Sequence, residues 1–192
     1  MTSFDWHGYP AWKFENQALS IVIVPALGAK IASLIDKSTG HEWMASPTRP
    51  IRPRQYGDDF AEHDLSGWDE MFPTIDGCPS PHDPALMLPD HGEVWALPWD
   101  ISAQNEDSIT LQVRGRALDY ILTRKTTVKP TGVRLEYTAT NHSGRDLPYL
   151  WAAHPLFNGV NVRVGLPLSI RQVIAVDHRY IPVLPTVLDW PQ

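Results

Sequence analysis

One histidine, His154, has sequence neighbours that suit proton transfer. It ends an apolar run that begins at Leu147. Imidazole titrates near pH ~6.5, and burial or nearby charges move that value across neutrality. Pro155 biases His154 towards an extended conformation. We therefore expect a buried strand that ends in a partly desolvated imidazole, suited to acid or base catalysis.

His154 and His91 each have an interpretation without chemistry. An imidazole inside an apolar run is often a hydrogen-bonded core residue. The sequence Pro89-Asp90-His91-Gly92 would form a good turn whether or not His91 had a function.

Carboxylates and tryptophans in the middle of the chain could bind a polar ligand. Asp69 and Glu70 follow Gly67 and Trp68, so their oxygens could accept hydrogen bonds beside an aromatic platform. Trp95 is a second candidate stacking surface. The competing interpretation is a charged loop end that Trp68 anchors.

The acidic patch at residues 58–64 could in principle hold a metal, but its spacing matches no ligand pattern, and a solvated loop is the preferred interpretation. We assign no metal and no cofactor. Arg52 and Arg54 could bind a phosphate, although surface arginines are the preferred interpretation.

Composition limits the classes of function. The 192 residues suit a single domain, 1–192, with 43% hydrophobic and 20% charged residues. A net charge of −6 argues against nucleic-acid binding and against a basic membrane-binding surface. The single cysteine, Cys78, excludes an intrachain disulfide framework, and no signal peptide or apolar run of ~18 residues is visible. We expect a cytoplasmic protein.

The elements that must position these residues are strands. An apolar run at 19–24 predicts a strand buried on both faces, and a second strand is expected at 30–36. Period-two alternation, typical of antiparallel sheet, is clear at 108–114 and 133–140. Further strands are predicted at 41–44, 94–102 and 120–128, with shorter apolar runs at 162–166 and 170–176.

Residues 45–90 contain eight prolines and show no hydrophobic periodicity. The segment also contains four aromatic residues, Tyr56, Phe60, Trp68 and Phe72. These aromatics predict a long ordered loop packed over the rest of the domain. The prolines leave little room for long helices. The sequence therefore predicts an all-β protein, a large antiparallel β-sandwich.

Three segments together resemble the aldose 1-epimerase family, the galactose mutarotase-like proteins. The first is GAKIASL at 28–34, followed by TGHEW at 39–43. The second is GWDEMFPTI at 67–75, followed by LPDHGEVW at 88–95, and the third is PYLWAAHPLF at 148–157. The segments stand in family order and cover nearly the whole chain from Gly28.

The resemblance implies a galactose mutarotase-like supersandwich and an enzyme that interconverts the α and β anomers of an aldose or aldose phosphate. In that chemistry a base removes the proton of the C1 hydroxyl while an acid protonates the ring oxygen. The ring opens, the C1–C2 bond rotates, and the ring closes on the other face. By resemblance, His154 is the general acid and His91 orients the sugar, without metal or cofactor.

The chain departs from the family in one respect. The family's general base is a glutamate near the C-terminus of longer chains, whereas only Asp177 and Asp189 are acidic after His154. The resemblance therefore implies a sandwich that is incomplete at the C-terminus. The chain is a fragment, or a short form that binds sugar without turning it over, or it uses another carboxylate such as Glu70 or Glu93.

Three hypotheses follow. The first is an aldose 1-epimerase-like isomerase that acts on a hexose or hexose phosphate. The second is a non-catalytic carbohydrate-binding β-sandwich. The third is a structural domain whose Trp-rich surface binds protein. Missing strands would also expose a sheet edge and apolar surface, which predicts a homodimer through that edge.

Overall fold

The computed structural model describes residues 1–159, 165, 167, 169–175 and 186–189. The chain divides into two compact units, Met1–Gly159 and Val160–Gln192. The predicted apolar run at 162–166 lies outside the described residues apart from Gly165.

The described residues form mainly strands. In chain order these are β1 Thr2–Trp6, β2 Tyr9–Glu15, β3 Leu19–Val24, β4 Lys30–Asp36, β5 His41–Glu42, β6 Trp68–Met71, β7 Cys78–Pro79, β8 Met87–Leu88, β9 Asp100–Gln104, β10 Ser108–Arg114, β11 Tyr120–Lys129, β12 Gly132–Asn141, β13 Ala152–Pro155, β14 Gln172–Ala175 and β15 Thr186–Asp189. Short 3-10 turns occur at Pro25–Leu27, Phe60–Glu62 and Val94–Ala96.

The larger sheet of the first unit has seven strands, in the order β1-β2-β3-β4-β6-β13, with β5 paired to β4. Strand β3 is buried along its whole length, as predicted. Ile21 and Ile23 pack into the main core, while Val22 and Val24 pack into a separate cluster on the opposite face. Because both faces of β3 are covered, the strand has apolar residues at consecutive positions instead of an alternating pattern.

The smaller sheet of the first unit has the order β12-β11-β10-β9 and is antiparallel throughout. Along β10 the buried Ile109, Leu111 and Val113 alternate with the half-buried Thr110 and Gln112. These apolar residues join Ile21 and Ile23 in the main core, which therefore lies between the two sheets. The predicted all-β antiparallel sandwich is confirmed.

In the second unit, β14 pairs with β15 in antiparallel fashion. Within the described part of the chain, no helix has the length and apolar character needed to span a membrane.

Four local points of the sequence analysis need correction. Strands β1 and β2 were not predicted, and the segment 94–102 begins as the 3-10 turn Val94–Ala96 before β9. Pro98 separates the two, since proline lacks the amide hydrogen that a ladder needs. The segment 45–90 is also more than a loop, because β6, β7 and β8 lie within it.

The apolar run before His154 is the fourth correction. The sequence predicts a buried strand, but only Ala152–Pro155 is extended and half-buried, while Tyr149, Leu150 and Trp151 are exposed. Strand β13 is the last strand in the order of its sheet, so one side of it has no described neighbour. The main-chain N–H of Leu150 bonds instead to the carbonyl of Pro73, at 2.9 Å.

Candidate active site

His154 lies on β13, directly opposite Asp69 of β6. Residues opposite each other in an antiparallel pair project from the same face of the sheet, so the imidazole shares a face with this carboxylate. The ring is half-buried, and its Nδ1 is buried with no hydrogen-bond partner among the residues described. Burial lowers the pKa of His154 below its ordinary value, and the neighbouring His91 acts in the same direction.

His91 projects from a tight turn. The turn is closed by Gly92 N–H donating to the carbonyl of Pro89 at 3.2 Å, and His91 N–H donates to the carbonyl of Ile75 at 3.1 Å. Both His91 and Gly92 have left-handed backbone conformations, with φ of 61° and 68°. The sequence prediction of a turn at residues 89–92 is confirmed.

The turn is pressed against β6 and the chain that follows it. A Cβ on Gly92 would overlap the Phe72 carbonyl, which itself accepts a hydrogen bond from Glu93 N–H at 2.9 Å. The side chain of Asp90 reaches Nδ1 of His91 at 2.8 Å. In the neutral ring this contact favours a proton on Nδ1 and leaves Nε2 as an acceptor.

The structure brings the two histidines together. Their ring centroids are 5.0 Å apart and the rings meet edge to face, at 89°. The 62 residues between them in the sequence include both strands of the β10–β11 hairpin, yet the two imidazole rings are in contact. Sequence reasoning gave both residues but not their contact.

A buried charge network underlies this area. Lys30 Nζ lies 3.0 Å from Asp64 and 2.8 Å from Asp69, while Arg54 bonds to both carboxylates at 2.8 Å. Burial by itself would raise the pKa of each aspartate, but Lys30 and Arg54 outweigh it and hold both pKa values below the usual range. Two cations and two anions therefore neutralise each other beneath the histidines. Ser66 adds a hydroxyl bond to Asp64, at 2.5 Å.

The buried position of Arg54 corrects the prediction of a surface arginine. Its side chain is 1% exposed, and besides the two aspartates it donates to the carbonyls of Leu27 and Trp95. Lys30 was not singled out from the sequence. Asp64 was considered only within the acidic patch at residues 58–64, for which a solvated loop was preferred, whereas its side chain is 3% exposed and paired with Lys30. The only signal was their occurrence within apolar or aromatic surroundings, which many surface charges share.

Glu70 and Trp68 lie on the opposite face of β6 from Asp69, because side chains alternate along a strand. Trp68 packs against the main core. Glu70 is fully buried and accepts hydrogen bonds from Arg124 at 2.9 Å, Tyr137 at 2.6 Å and Trp151 at 3.2 Å. Burial raises the pKa of Glu70, against the opposing influence of these donors.

Trp95 and Glu93 are also engaged in packing. Trp95 is 1% exposed and lies under the guanidinium of Arg54, 5.1 Å from its ring centroid. Glu93 accepts hydrogen bonds from the main-chain N–H groups of Arg116 and Ala117 and from the Tyr120 hydroxyl, at 2.8–3.0 Å. Of the predicted site residues, the structure therefore groups His91, His154 and Asp69, whereas Glu70 and Trp95 are buried in the interior and Trp68 is half-buried against the main core.

No cluster of three or more His, Cys, Asp or Glu side chains with the geometry of a metal site occurs among the described residues.

No family model matches the chain, and no curated protein matches it in sequence. Several solved structures do match the chain. A galactose mutarotase-like protein from Lactobacillus casei ATCC 334 matches with a TM-score of 0.64 and 22% identity, over 94% of this chain and 64% of its own. A galactose mutarotase related enzyme from Lactobacillus acidophilus matches with a TM-score of 0.63 and 16% identity, over 85% and 56%.

An aldose epimerase homologue from C. elegans matches with a TM-score of 0.61 and 15% identity, over 98% of this chain and 62% of its own. The chain thus spans less than two thirds of the length of these proteins. At such identities the likeness concerns the fold. On that likeness, and on the antiparallel sandwich described above, the chain has the galactose mutarotase-like fold.

Proposed function

We propose that this chain is an aldose 1-epimerase-like protein that binds a hexose or hexose phosphate and interconverts its anomers by acid–base ring opening. The observation that carries the proposal is the contact of His91 and His154, whose ring centroids are 5.0 Å apart. Adjacent imidazoles can donate and accept protons, which ring opening requires.

His154 is the proposed general acid. Its pKa is lowered mainly by burial, so the protonated ring is a stronger acid than imidazolium in water and gives its proton more readily to the ring oxygen of the sugar. His91, held by Asp90 through Nδ1, presents Nε2 to the substrate and orients it.

We assign the base to none of the carboxylates described around this site. Both oxygens of Asp64 and of Asp69 are bonded to Lys30, Arg54 or Ser66. Glu70 and Glu93, the two substitutes considered from the sequence, are each saturated by three donors in the interior.

This saturation favours the alternative function, a carbohydrate-binding sandwich without turnover. Both functions require the sugar to contact His91 and His154, and only the enzyme requires proton transfer. The cytoplasmic location, the absence of nucleic-acid and membrane partners, the lack of a cofactor and the homodimer remain predictions.

The test is the rate of anomer interconversion by the purified chain. Fresh α-glucose, α-galactose and α-glucose 6-phosphate would be followed by polarimetry or proton NMR against the uncatalysed rate. We expect His154→Gln to lower the enzymatic acceleration about 100-fold or more, since general acid catalysis contributes ~10²–10⁴. The matched control is His142→Gln, because His142 is exposed directly after β12.

Sugar binding distinguishes the enzyme from the carbohydrate-binding module. A folded chain that binds sugar saturably, with a change in Trp fluorescence but no acceleration, would support the carbohydrate-binding module. A folded chain that neither binds nor accelerates would refute both functions.

A further inference from the structure

Phe60 contacts both histidines of the candidate site. Its ring stacks on His91 with centroids 4.3 Å apart and planes 5° from parallel. The same ring meets His154 edge to face, at 5.0 Å and 86°. Phe60 is 6% exposed, so its ring is a buried wall of the site rather than part of a mobile surface.

The chain around Phe60 is fixed by hydrogen bonds. Asp59 caps the 3-10 turn Phe60–Glu62 by accepting from Ala61 N–H at 2.8 Å. Arg52 donates to the Glu62 carbonyl at 2.7 Å, and His63 N–H donates to the Phe60 carbonyl at 3.1 Å. The backbone that carries the Phe60 ring is therefore tied down on both sides.

A buried aromatic group supports the ring from behind. Trp95 meets Phe60 edge to face at 5.1 Å and meets His63 in the same way at 5.2 Å. Nε2 of His63 lies 3.0 Å from the Asp58 carboxylate. Because Trp95 is itself buried, Phe60 cannot retreat from the histidines without disturbing the interior.

His91 needs such a support. Its only described side-chain hydrogen bond is the contact of Nδ1 with Asp90, and a bond at one edge leaves the ring able to rotate about that edge. A flat face parallel to the imidazole at 4.3 Å restricts the rotation by packing.

We propose that Phe60 is a positioning residue: its ring sets the plane of the His91 imidazole and thereby the edge-to-face approach of His91 to His154. A catalytic effect of this positioning rests on the proposed function. The contact of Phe60 with the two histidines does not depend on any substrate.

Phe60 also keeps water from His154. The charged and titratable groups that face His154 are Asp69 on β6, Lys30 on β4, and Asp90 and His91 on the turn. Of these, the two aspartates favour the protonated ring, and Lys30 and His91 disfavour it. With those charges unchanged, a cavity in place of Phe60 would hydrate the ring and move its pKa upward, towards the ordinary value.

The experiment compares Phe60→Ala, Phe60→Leu and Phe60→Tyr by NMR of the imidazole ring signals as a function of pH. In Phe60→Leu we expect the ring-current shift of His91 to disappear although apolar bulk is retained. In Phe60→Ala we expect, in addition, a raised pKa of His154. Phe60→Tyr should restore the wild-type His91 shift because the flat ring is present.

Phe14→Leu is the matched control. Phe14 is a phenylalanine buried in the main core, so the same substitution loosens packing without removing a ring from the histidines. We expect it to leave the His91 and His154 signals unchanged. Histidine signals in folded Phe60→Leu that match those of the wild type would overturn the proposal.

The rate of mutarotation tests whether Phe60 affects catalysis. If the wild-type chain accelerates mutarotation, Phe60→Leu should lower kcat at least tenfold with a smaller change in KM, and Phe60→Tyr should recover the rate. The histidine spectra decide the positioning role, and the wild-type rate decides the proposed function, so either can fail without the other.

Discussion

His91 and His154 are held in different ways at the scale of single residues. His154 is placed by the pairing of β13 with β6, which aligns it opposite Asp69. His91 is placed by a left-handed turn, a conformation that costs a non-glycine residue roughly 1–2 kcal/mol and persists where surrounding contacts enforce it. Those contacts are the close approach of Gly92 to Phe72 and the bond between Asp90 and the His91 ring.

The turn that carries His91 depends on Gly92. We expect Gly92→Ala to lower the free energy of unfolding by about 2–5 kcal/mol, because a left-handed alanine is strained and its Cβ would overlap the Phe72 carbonyl. Gly40→Ala is the control, since Gly40 is also left-handed, with φ of 73°, but has open space around it; it should cost about 1–2 kcal/mol. Urea unfolding measures both, and equal losses would contradict the proposed close contact.

The titration of the buried histidines predicts how stability depends on pH. Burial lowers the pKa of His154 and of His63 in the folded state. Between each lowered pKa and the unfolded value near ~6.5, the unfolded chain binds more protons, so stability falls as the pH falls through that window.

Urea unfolding at pH 7.5 and pH 5.5 tests this expectation. The wild type should be less stable at pH 5.5, and His154→Gln should lose less stability between the two pH values because one titrating group is gone. His142→Gln should behave as the wild type does. An equal pH dependence in all three proteins would refute the lowered pKa of His154.

At the scale of elements, β6 connects the site to the core. Its alternation sends Asp69 into the charge network under the histidines and sends Trp68 and Glu70 into the space between the sheets. Glu70 then meets Arg124, which β11 contributes from the smaller sheet. A four-residue strand therefore joins both sheets to the site.

The Glu70–Arg124 pair should couple the sheets energetically. Arg124→Met leaves a buried carboxylate without its cation, and we expect a loss of about 3–5 kcal/mol in unfolding free energy. In the double variant Glu70→Gln/Arg124→Met the loss should be smaller than the sum of the single losses, as a double-mutant cycle would measure. Additive losses would contradict the coupling.

The surface pair Arg114–Asp119 is the control for this cycle. Its N–O distance is short, 2.6 Å, but its side chains are 65% and 43% exposed. Exposed pairs contribute ~0–1 kcal/mol, so Arg114→Met should change stability by less than about 1 kcal/mol.

At the scale of the whole molecule, exposed apolar side chains gather near the end of the first unit. Tyr149, Leu150, Trp151 and Phe157 are each at least 42% exposed and flank β13, the last strand in the order of its sheet. Unpaired edges and clustered aromatics favour association. The homodimer predicted from the sequence would use this surface.

Sedimentation velocity over a range of concentrations tests the dimer. We expect the wild type to associate, and Leu150→Ser combined with Phe157→Ser to shift the equilibrium towards monomer by at least tenfold. Met87→Ser, at a side chain that is 57% exposed in another part of the unit, should have no effect. A wild-type chain that stays monomeric at all concentrations would exclude this dimer.

The amino-acid sequence by itself predicted most of the strands and singled out the two histidines as candidate site residues. Alternation along β10, continuous apolar residues along β3 and the turn at residues 89–92 are local patterns, and each was recognised because strand and turn preferences act over a few residues. The resemblance over three segments supplied the fold, which the structural matches confirm.

Only the tertiary structure decided which side chains meet. Asp69 and Glu70 are neighbours in sequence with the same charge, yet strand alternation and register place one beneath the histidines and the other against Arg124. The stacking of Phe60 on His91 likewise depends on the path of a loop across 31 residues. Such contacts are set by register and by packing between distant segments, and these depend on the whole fold rather than on any local pattern.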